Sequence, residues 1–474
     1  MALFTREQNT LRNKKPREEQ IGEFSKRKKK GVIPNNLPAV SGELFHPFQT
    51  SSEYKELTKS QKEAVNLFLR GENLFITGEA GTGKSHVTKV IFDLCQMYKV
   101  AAAKTSSTGV SAFNIGGQTI HSWAGLGLAD EPLSNLIYKL RKNKKAIDRI
   151  VKSKVLFVDE VSMVKADLLE KLDGVLRFYR GSAAPFGGIQ LVMVGDMLQL
   201  SPVWRGNERK DWCFKSLSWE GADIRTVILR EKMRQSAETP FAKLLSNLRV
   251  GKMDGIEILE DRIDVKFPDD GIMPVRVLCK NVDVDQFNFS KLNAIKSPSR
   301  KFYSRDNGQK HHIEQFNKNC PAAAVLELKV GAQVILLANL DVKQGFVNGS
   351  VGVVEAFTSE GIEVRFKTGV CLVTEFTWEI KEQSVSFDGK TIFKSVASRE
   401  QFPLKLAYAL TVHRVQGLTL DRAYVDVGEA FAEGMLYVAL SRVRDIESLS
   451  IAPFPKSALR VSRECLEFYK NLEK

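Results

Sequence analysis

Gly78 to Ser85 read G-E-A-G-T-G-K-S, a match to the pattern G-x-x-x-x-G-K-[ST]. In such a loop the backbone N–H groups of Gly78, Glu79, Ala80, Gly81, Thr82 and Gly83 turn inward onto a polyphosphate. Lys84 then reaches the β- and γ-phosphates, the Ser85 hydroxyl is placed for Mg²⁺, and His86 follows in the first helical turn. The flanks suit the motif. Leu74-Phe75-Ile76-Thr77 is an apolar run of strand length, and Lys84 to Tyr98 carries apolar residues at helical spacing. Strand, glycine loop and helix in that order predict a nucleoside triphosphate site rather than an unliganded turn.

Two carboxylates stand where such a site needs them. Val155-Leu156-Phe157-Val158 is apolar and ends in Asp159-Glu160, about 75 residues after the loop. At the carboxyl edge of a parallel sheet, Asp159 is suited to hold Mg²⁺ and Glu160 to polarise an attacking water as general base. A further apolar run, 190–194, leads into Gly195-Asp196-Met197-Leu198-Gln199-Leu200-Ser201-Pro202. Gln199 is a candidate sensor of the γ-phosphate there; a polar strand-end loop is the plain alternative. The amide of Gln61, in Leu57-Thr58-Lys59-Ser60-Gln61, is able both to donate to and accept from an adenine edge. Arg234 and Arg442 are candidates for arginines presented to the γ-phosphate, a device worth roughly 10³–10⁵ in rate. For either, a surface ion pair is the alternative.

These residues need a scaffold. Strand-like runs at 73–77, 99–105, 154–159, 189–195 and 225–230 alternate with helical spacing, which predicts a doubly wound α/β domain over 56–236. Within it, 122–150 is a polar, lysine-rich insertion expected to lie outside the core. A second α/β domain is expected over 237–334 and 401–474, with strands near 423–427 and 448–451. Short β-rich segments at 335–400, linked by the turn-rich stretch 341–349, read as a small antiparallel barrel inserted into it. Residues 1–55 lack apolar periodicity and are expected to form a disordered basic tail.

Composition narrows the partners. Seventy Lys+Arg against 56 Asp+Glu leave a net charge of +14 over 474 residues, which favours a polyanion, nucleic acid ahead of an anionic membrane. No run of 18 apolar residues occurs, so no membrane span is expected. The six cysteines are far apart, with no C-x-x-C pair; this suits a reducing compartment, nucleus or cytoplasm, and argues against zinc or iron–sulfur ligation.

The motifs occur in a recognisable order: Gln61, G-E-A-G-T-G-K-S, T-S-S-T-G-V-S-A-F, G-Q-T-I-H-S-W, V-D-E-V-S-M, P-F-G-G-I-Q-L-V-M-V-G-D-M-L-Q-L-S-P-V, K-M-R-Q, V-N-G-S-V-G-V-V, L-A-Y-A-L-T-V-H-R-V-Q-G-L-T-L and Y-V-A-L-S-R-V. Over about residues 57–455 the chain resembles the petite integration frequency (Pif) family of superfamily-one 5′→3′ DNA helicases. The P-F-G-G-I-Q-L stretch, preceded by Arg177 and Arg180, looks like that family's own signature. Ser201 and Arg414 stand where proline and lysine are usual, and neither is a catalytic position.

The resemblance implies two RecA-like P-loop NTPase domains with ATP and Mg²⁺ between them. It implies a wedge at 122–150, and DNA contacts from Thr108, Gly109 and His121 on the first lobe and Thr411, His413 and Gln416 on the second. Phe113, Trp123 and Phe346 are candidates for base stacking, with burial in a core the favoured alternative. The activity implied is ATP-dependent unwinding of DNA, on single strands and forks, by a protein monomeric in the absence of DNA. Three other readings compete: a nucleotide-driven clamp that does not unwind, an RNA helicase or RNA-capping accessory of a virus, and a nucleic-acid-binding scaffold with a dead site; the helicase reading itself leaves open a viral protein acting in an infected cell. Retention of Glu160 and Arg442 argues against the first, and the P-F-G-G-I-Q-L signature against the second.

The first thirty residues carry ten Lys/Arg and four Asp/Glu, ending in Lys26-Arg27-Lys28-Lys29-Lys30. A DNA tether and a nuclear import signal are both open for this arm. As a tether, each phosphate it neutralises adds roughly 0.7 to the slope of log K against log salt on single strands. Removing residues 1–30 is therefore expected to flatten that slope while leaving DNA-saturated turnover unchanged. An identical salt dependence in the truncated chain would rule the tether out.

Overall fold

The computed structural model describes residues 48, 51–204, 208–231, 239–386 and 391–472. The first lobe is built on six parallel strands: β1 (Asn73–Gly78), β2 (Ala102–Ser106), β3 (Gln118–Thr119), β4 (Val155–Asp159), β5 (Gln190–Val194) and β6 (Ile224–Leu229). Their order across the sheet is β3-β2-β4-β5-β1-β6. Because side chains alternate along a strand, each apolar run feeds two cores. Leu74, Ile76, Val155, Phe157, Val192 and Val194 enter one, while Phe75, Leu156, Val158, Leu191 and Met193 enter the other.

Several expectations shift in detail. The second strand starts at Ala102 rather than 99, since Lys99 takes a left-handed turn at φ 56° that a strand cannot accommodate. Packed structure begins before Leu57: Phe48 is buried edge-on to Tyr54, and Ser51 caps a helix at Ser52–Glu56. The segment 122–150 is not excluded from the core. Its helices Ile120–Ala124, Leu133–Leu140 and Lys144–Lys152 bury Trp123, Leu136, Leu140, Ala146 and Ile150 in the core beneath helix Ala166–Arg180. The lysines occupy only the outer faces, so mean polarity concealed apolar pairs spaced by four. Arg180 fastens the insertion down. Its Nη1 donates to the carbonyls of Ile150, Val151 and Ser153 at 2.8–2.9 Å, and its Nε to Gly187.

The second lobe has a parallel sheet of β7 (Val275–Leu278), β18 (Ala409–Thr411), β19 (Ala423–Val425) and β20 (Leu449–Ile451), in the order β18-β7-β19-β20. Everything between β7 and β18 pairs antiparallel. A five-stranded sheet joins β11 (Gln333–Leu336), β12 (Val351–Phe357), β13 (Ile362–Phe366), β14 (Gly369–Val373) and β17 (Leu404–Leu406). The strands β8 (Ser299–Tyr303) and β10 (Val325–Lys329) pair separately, and the long hairpin β15 (Phe376–Val385) and β16 (Thr391–Gln401) takes β9 (Arg305–Asn307) onto its edge. Antiparallel structure thus extends beyond both ends of the expected 335–400. The hairpin reaches the first lobe: Thr391 Oγ1 accepts from the Ala102 N–H at 2.9 Å, and Glu382 pairs with Lys145 at 2.9 Å.

The last helix, Arg463–Leu472, was expected to complete the second lobe; it packs into the first. Cys465 and Tyr469 are buried with Trp212, Cys213 and Trp219, and Phe468 stacks on Phe214 at a centroid distance of 4.3 Å. Apolar residues at 465, 468, 469 and 472 announce an amphipathic helix without saying which lobe receives it. Ending the chain at Ser462 is expected to destabilise the first lobe by on the order of 5 kcal/mol, from burial of about 1.5–3 kcal/mol per large side chain. A denaturant midpoint unchanged from the full chain would contradict this packing.

Candidate nucleotide site and nucleic-acid interface

The sheet order sets β4, β5 and β1 side by side, so the loops after Asp159, Val194 and Gly78 converge at one carboxyl edge. Gly83 opens helix Lys84–Met97 from a left-handed conformation (φ 83°) that a side chain would strain. The Lys84 ammonium donates to the carbonyls of Gly78 and Glu79 at 2.8 and 2.9 Å, and Thr82 Oγ1 to Glu79 at 3.0 Å. Burial lowers the Lys84 pKa, against the pull of Asp196 and Glu160. Gly81 lies on the same loop, and Ser85 and His86 are exposed in the first turn of the helix. Gln61 is buried beside it. Its Oε1 accepts from the Thr58 N–H, while Nε2 has no protein partner, leaving a buried donor of the kind an adenine nitrogen satisfies.

Asp159 and Glu160 are both pushed up by burial, Glu160 to about 7 with the neighbouring Asp159 as second cause. Glu160 is left-handed (φ 50°, ψ 45°), an uncommon state for a residue with a side chain. Its carboxylate Oε2 accepts from Gln416 Nε2 at 2.8 Å. Gln416 was expected to face a DNA strand; here it crosses from the second lobe to the candidate base.

Asp196 gathers more partners than any other expected element. Arg249 Nε and Nη2 grip its two oxygens at 2.9 and 2.7 Å, joined by Tyr469 OH, Gln199 Nε2 and the Leu198 N–H. Burial alone would raise its pKa; Arg249 holds it below the ordinary value. Gln199 is therefore engaged with Asp196, and Gly434 of the second lobe presses on its carbonyl so closely that a Cβ would come within 2.2 Å. Tyr437 OH, also from the second lobe, accepts from the Ala80 N–H at 2.9 Å. Ser246 Oγ meets Glu79 Oε2 at 3.0 Å. Arg249, Ser246 and Tyr469 carry no motif spacing, and Tyr437 opens the Y-V-A-L-S-R-V stretch without being singled out there. A buried carboxylate in G-D-M-L-Q requires a cation, but nothing in sequence nominates Arg249 to supply it.

Arg442 is almost wholly buried. It donates to the carbonyls of Val438 and Val415 at 2.7 and 3.4 Å and to Ser441 Oγ, and its charge lowers the Glu160 pKa. Arg234 lies outside the described residues, as does the basic arm. The remaining expected DNA contacts fall on two matching features. Thr108 follows β2 and caps helix Gly109–Asn114; Thr411 ends β18 and caps helix Val412–Val415. Each hydroxyl accepts a backbone N–H, which leaves its own proton for an outside acceptor. His121 and His413 are both held below the ordinary imidazole pKa by burial, so they present neutral rings; His413 stacks on Phe431. Gly109 abuts Asn319 from the antiparallel region. Of the three stacking candidates, Trp123 and Phe346 are core residues, and Phe113 leans on Phe316. Among the described residues no cluster of three or more metal-ligating side chains occurs, and no helix is long and apolar enough to cross a membrane.

This geometry has relatives. A family model described as PIF1-like helicase matches residues 50–257, and one for the 2B domain of DNA helicase Pif1 matches 312–357. The ATP-dependent DNA helicase Pif1 of Bdellovibrio bacteriovorus is 33% identical over 88% of this chain and 92% of its own length. The chain belongs to the PIF1 helicase family. The zebrafish PIF1 is 37% identical over 89% of this chain, which spans 64% of that longer relative. The Bacteroides Pif1 solved with ADP-AlF4 is 29% identical, with a TM-score of 0.78 over 88% of this chain and 97% of that one. The same Bacteroides protein bound to single-stranded DNA gives 0.59 over 88% of this chain and 96% of that one. Unliganded Bacteroides Pif1 scores 0.77 over 88% of this chain and 97% of that one, so the arrangement here is nearer to the DNA-free forms than to the DNA-bound one.

Replacing Arg249 by Met is expected to destabilise the protein by about 3–5 kcal/mol, the cost of stranding a buried charge. The sign with pH is diagnostic. In the native protein the depressed Asp196 contributes stability above the ordinary value of 3.8, lost only as pH falls through its lower folded pKa. Without Arg249, burial raises that pKa, so the deficit of Arg249→Met should shrink on acidification. Denaturant midpoints from neutral pH down to the carboxylate range check it; a deficit constant with pH would contradict the pairing.

Proposed function

We propose that this chain is an ATP-dependent DNA helicase that moves 5′→3′ on single-stranded DNA and separates duplexes at forks. The observation that carries it is the meeting of the lobes on Glu160. The base candidate belongs to the first lobe, its hydrogen-bond donor Gln416 and the neighbouring charge of Arg442 to the second. A site shared in this way makes hydrolysis and lobe movement one event, which is what a translocating motor needs and a simple hydrolase does not. Membership of the PIF1 family and the DNA-bound form of its Bacteroides member support the substrate.

In this reading ATP lies between the lobes, its adenine against Gln61 and its phosphates in the loop 78–85. Lys84 leaves its loop carbonyls to neutralise the β- and γ-phosphates. Glu160 takes the proton of the attacking water, and Arg442, with Arg234, faces the developing charge as the lobes close. Gln199 reports the γ-phosphate to Asp196. The exposed Ser85 hydroxyl and the Asp159 carboxylate form a hard-oxygen pair suited to Mg²⁺. That ion, when bound, would neutralise negative charge on the phosphates. Thr108 and Thr411, one on each lobe, offer hydroxyl protons to successive backbone phosphates, contacts that position a strand without reading its sequence. Six unpaired thiols, four of them buried, support a reducing compartment, nucleus or cytoplasm.

Hydrolysis should be strongly stimulated by single-stranded DNA and abolished in Lys84→Ala. Glu160→Gln should bind nucleotide but not turn it over. Unwinding should require a 5′ single-stranded tail; duplexes opened only from a 3′ tail would refute the polarity. Because the insertion at 122–150 is core on its inner face, its wedge role is tested on exposed Lys142 and Lys144. Alanine at both should impair strand separation more than ATP hydrolysis, and an equal loss of both would argue against a wedge.

A further inference from the structure

Gln416 follows the one-turn helix Val412–Val415, at the carboxyl end of β18. Its amide crosses the cleft to Glu160 Oε2 at 2.8 Å, joining residues 256 positions apart on different lobes. The backbone of Glu160 has little room to adjust. It is left-handed, and its carbonyl is already taken by the Ser107 hydroxyl at 3.0 Å and the Met163 N–H at 3.1 Å. What the carboxylate meets therefore decides where it points. A general base must direct a lone pair at its water from about 2.6–3.2 Å. A donor seated on the carboxylate fixes its direction and weakens it as a proton acceptor.

The same side chain stands at the end of the segment whose first residue, Thr411, is a candidate phosphate contact. That segment is tied internally, the Thr411 hydroxyl accepting from the Arg414 N–H at 3.3 Å, and its Val415 carbonyl accepts from Arg442 at 3.4 Å. A strand drawn onto Thr411 and His413 shifts Gln416 with them, and the bond to the other lobe is the contact that must give.

We propose that Gln416 is a positioning residue that holds Glu160 off the attacking water, and that single-stranded DNA engaging residues 411–416 withdraws it and frees the base. This inference rests on the helicase reading above. It differs from a plain tie between lobes in the sign of its effect: losing a tie slows the enzyme, whereas losing a restraint speeds it when DNA is absent.

The test compares the full chain with Gln416→Ala and with Gln416→Met, which keeps the side-chain volume but has no donor. Steady-state ATP hydrolysis is measured without DNA and with saturating oligo(dT). In both variants the DNA-free kcat should rise about fivefold, the order of one hydrogen bond. KM for ATP should stay within about twofold and DNA-saturated kcat near the native value, so the stimulation ratio falls. A DNA-free kcat that is unchanged or lower in both variants, against a DNA-stimulated native chain, overturns the inference and leaves the helicase reading standing. A native chain indifferent to DNA overturns both.

Discussion

The buried ion pair between Asp196 and Arg249 is the constraint on which the arrangement of the molecule turns. Asp196 lies two residues past the strand beside the phosphate loop, whereas Arg249 ends helix Pro240–Arg249, whose apolar face lies in the core of the second lobe. Each charge taken alone out of water would cost several kcal/mol, so neither lobe is content without the other in this register. The same carboxylate also receives Gln199 from its own loop and Tyr469 from the final helix. The loop expected to cradle phosphate, the expected sensor Gln199 and the contacts that join the lobes are thereby made neighbours through one side chain.

Around that pair several contacts between lobes are polar and specific. Tyr437 meets a loop amide, Gly434 rests on the Gln199 carbonyl, Gln416 reaches Glu160, and Glu433 reaches Ser201. Interfaces of this kind exchange partners at low cost, because each lost hydrogen bond is replaced by one to water or ligand. Apolar contact also crosses the seam: Ala80 and Leu200 of the first lobe join the core of the second, and Phe393 and Phe113 bring the antiparallel region against the first. Rigid lobes with a rearrangeable seam are what a device needs if its two halves are to move relative to one another.

Much of this was legible in the sequence, for a definable reason. Strands β1, β4 and β5 are continuous apolar runs that end in chemistry-bearing residues, so period and punctuation locate both scaffold and site. The phosphate loop and Asp159-Glu160 were legible for the same reason: their function is carried by residues adjacent in the chain. What escaped depends on contacts between distant segments. Arg249 and Tyr469 lie on ordinary amphipathic helices and Tyr437 on a short, wholly buried one, and the partner of such a helix is a tertiary fact. The insertion at 122–150 was misjudged as wholly exterior because lysines on its outer faces outweighed Trp123, Leu136, Leu140 and Ile150 in the mean. The final helix was placed on the wrong lobe because chain order is a poor guide to packing once a chain doubles back.

That doubling back has a consequence for how the molecule comes into being. Phe214 and Trp219 are made early, yet the ring that covers them, Phe468, is about 250 residues further on. At roughly 5–20 residues per second, synthesis leaves that patch uncovered for on the order of ten to fifty seconds. Throughout that interval Asp196 lacks its hydroxyl partner Tyr469 and, at first, Arg249 as well. The nascent first lobe therefore holds the loop 78–85, Asp159 and Glu160 while Asp196 is unmatched. Asp196 gains its last partner only when the helix Arg463–Leu472 docks on the first lobe.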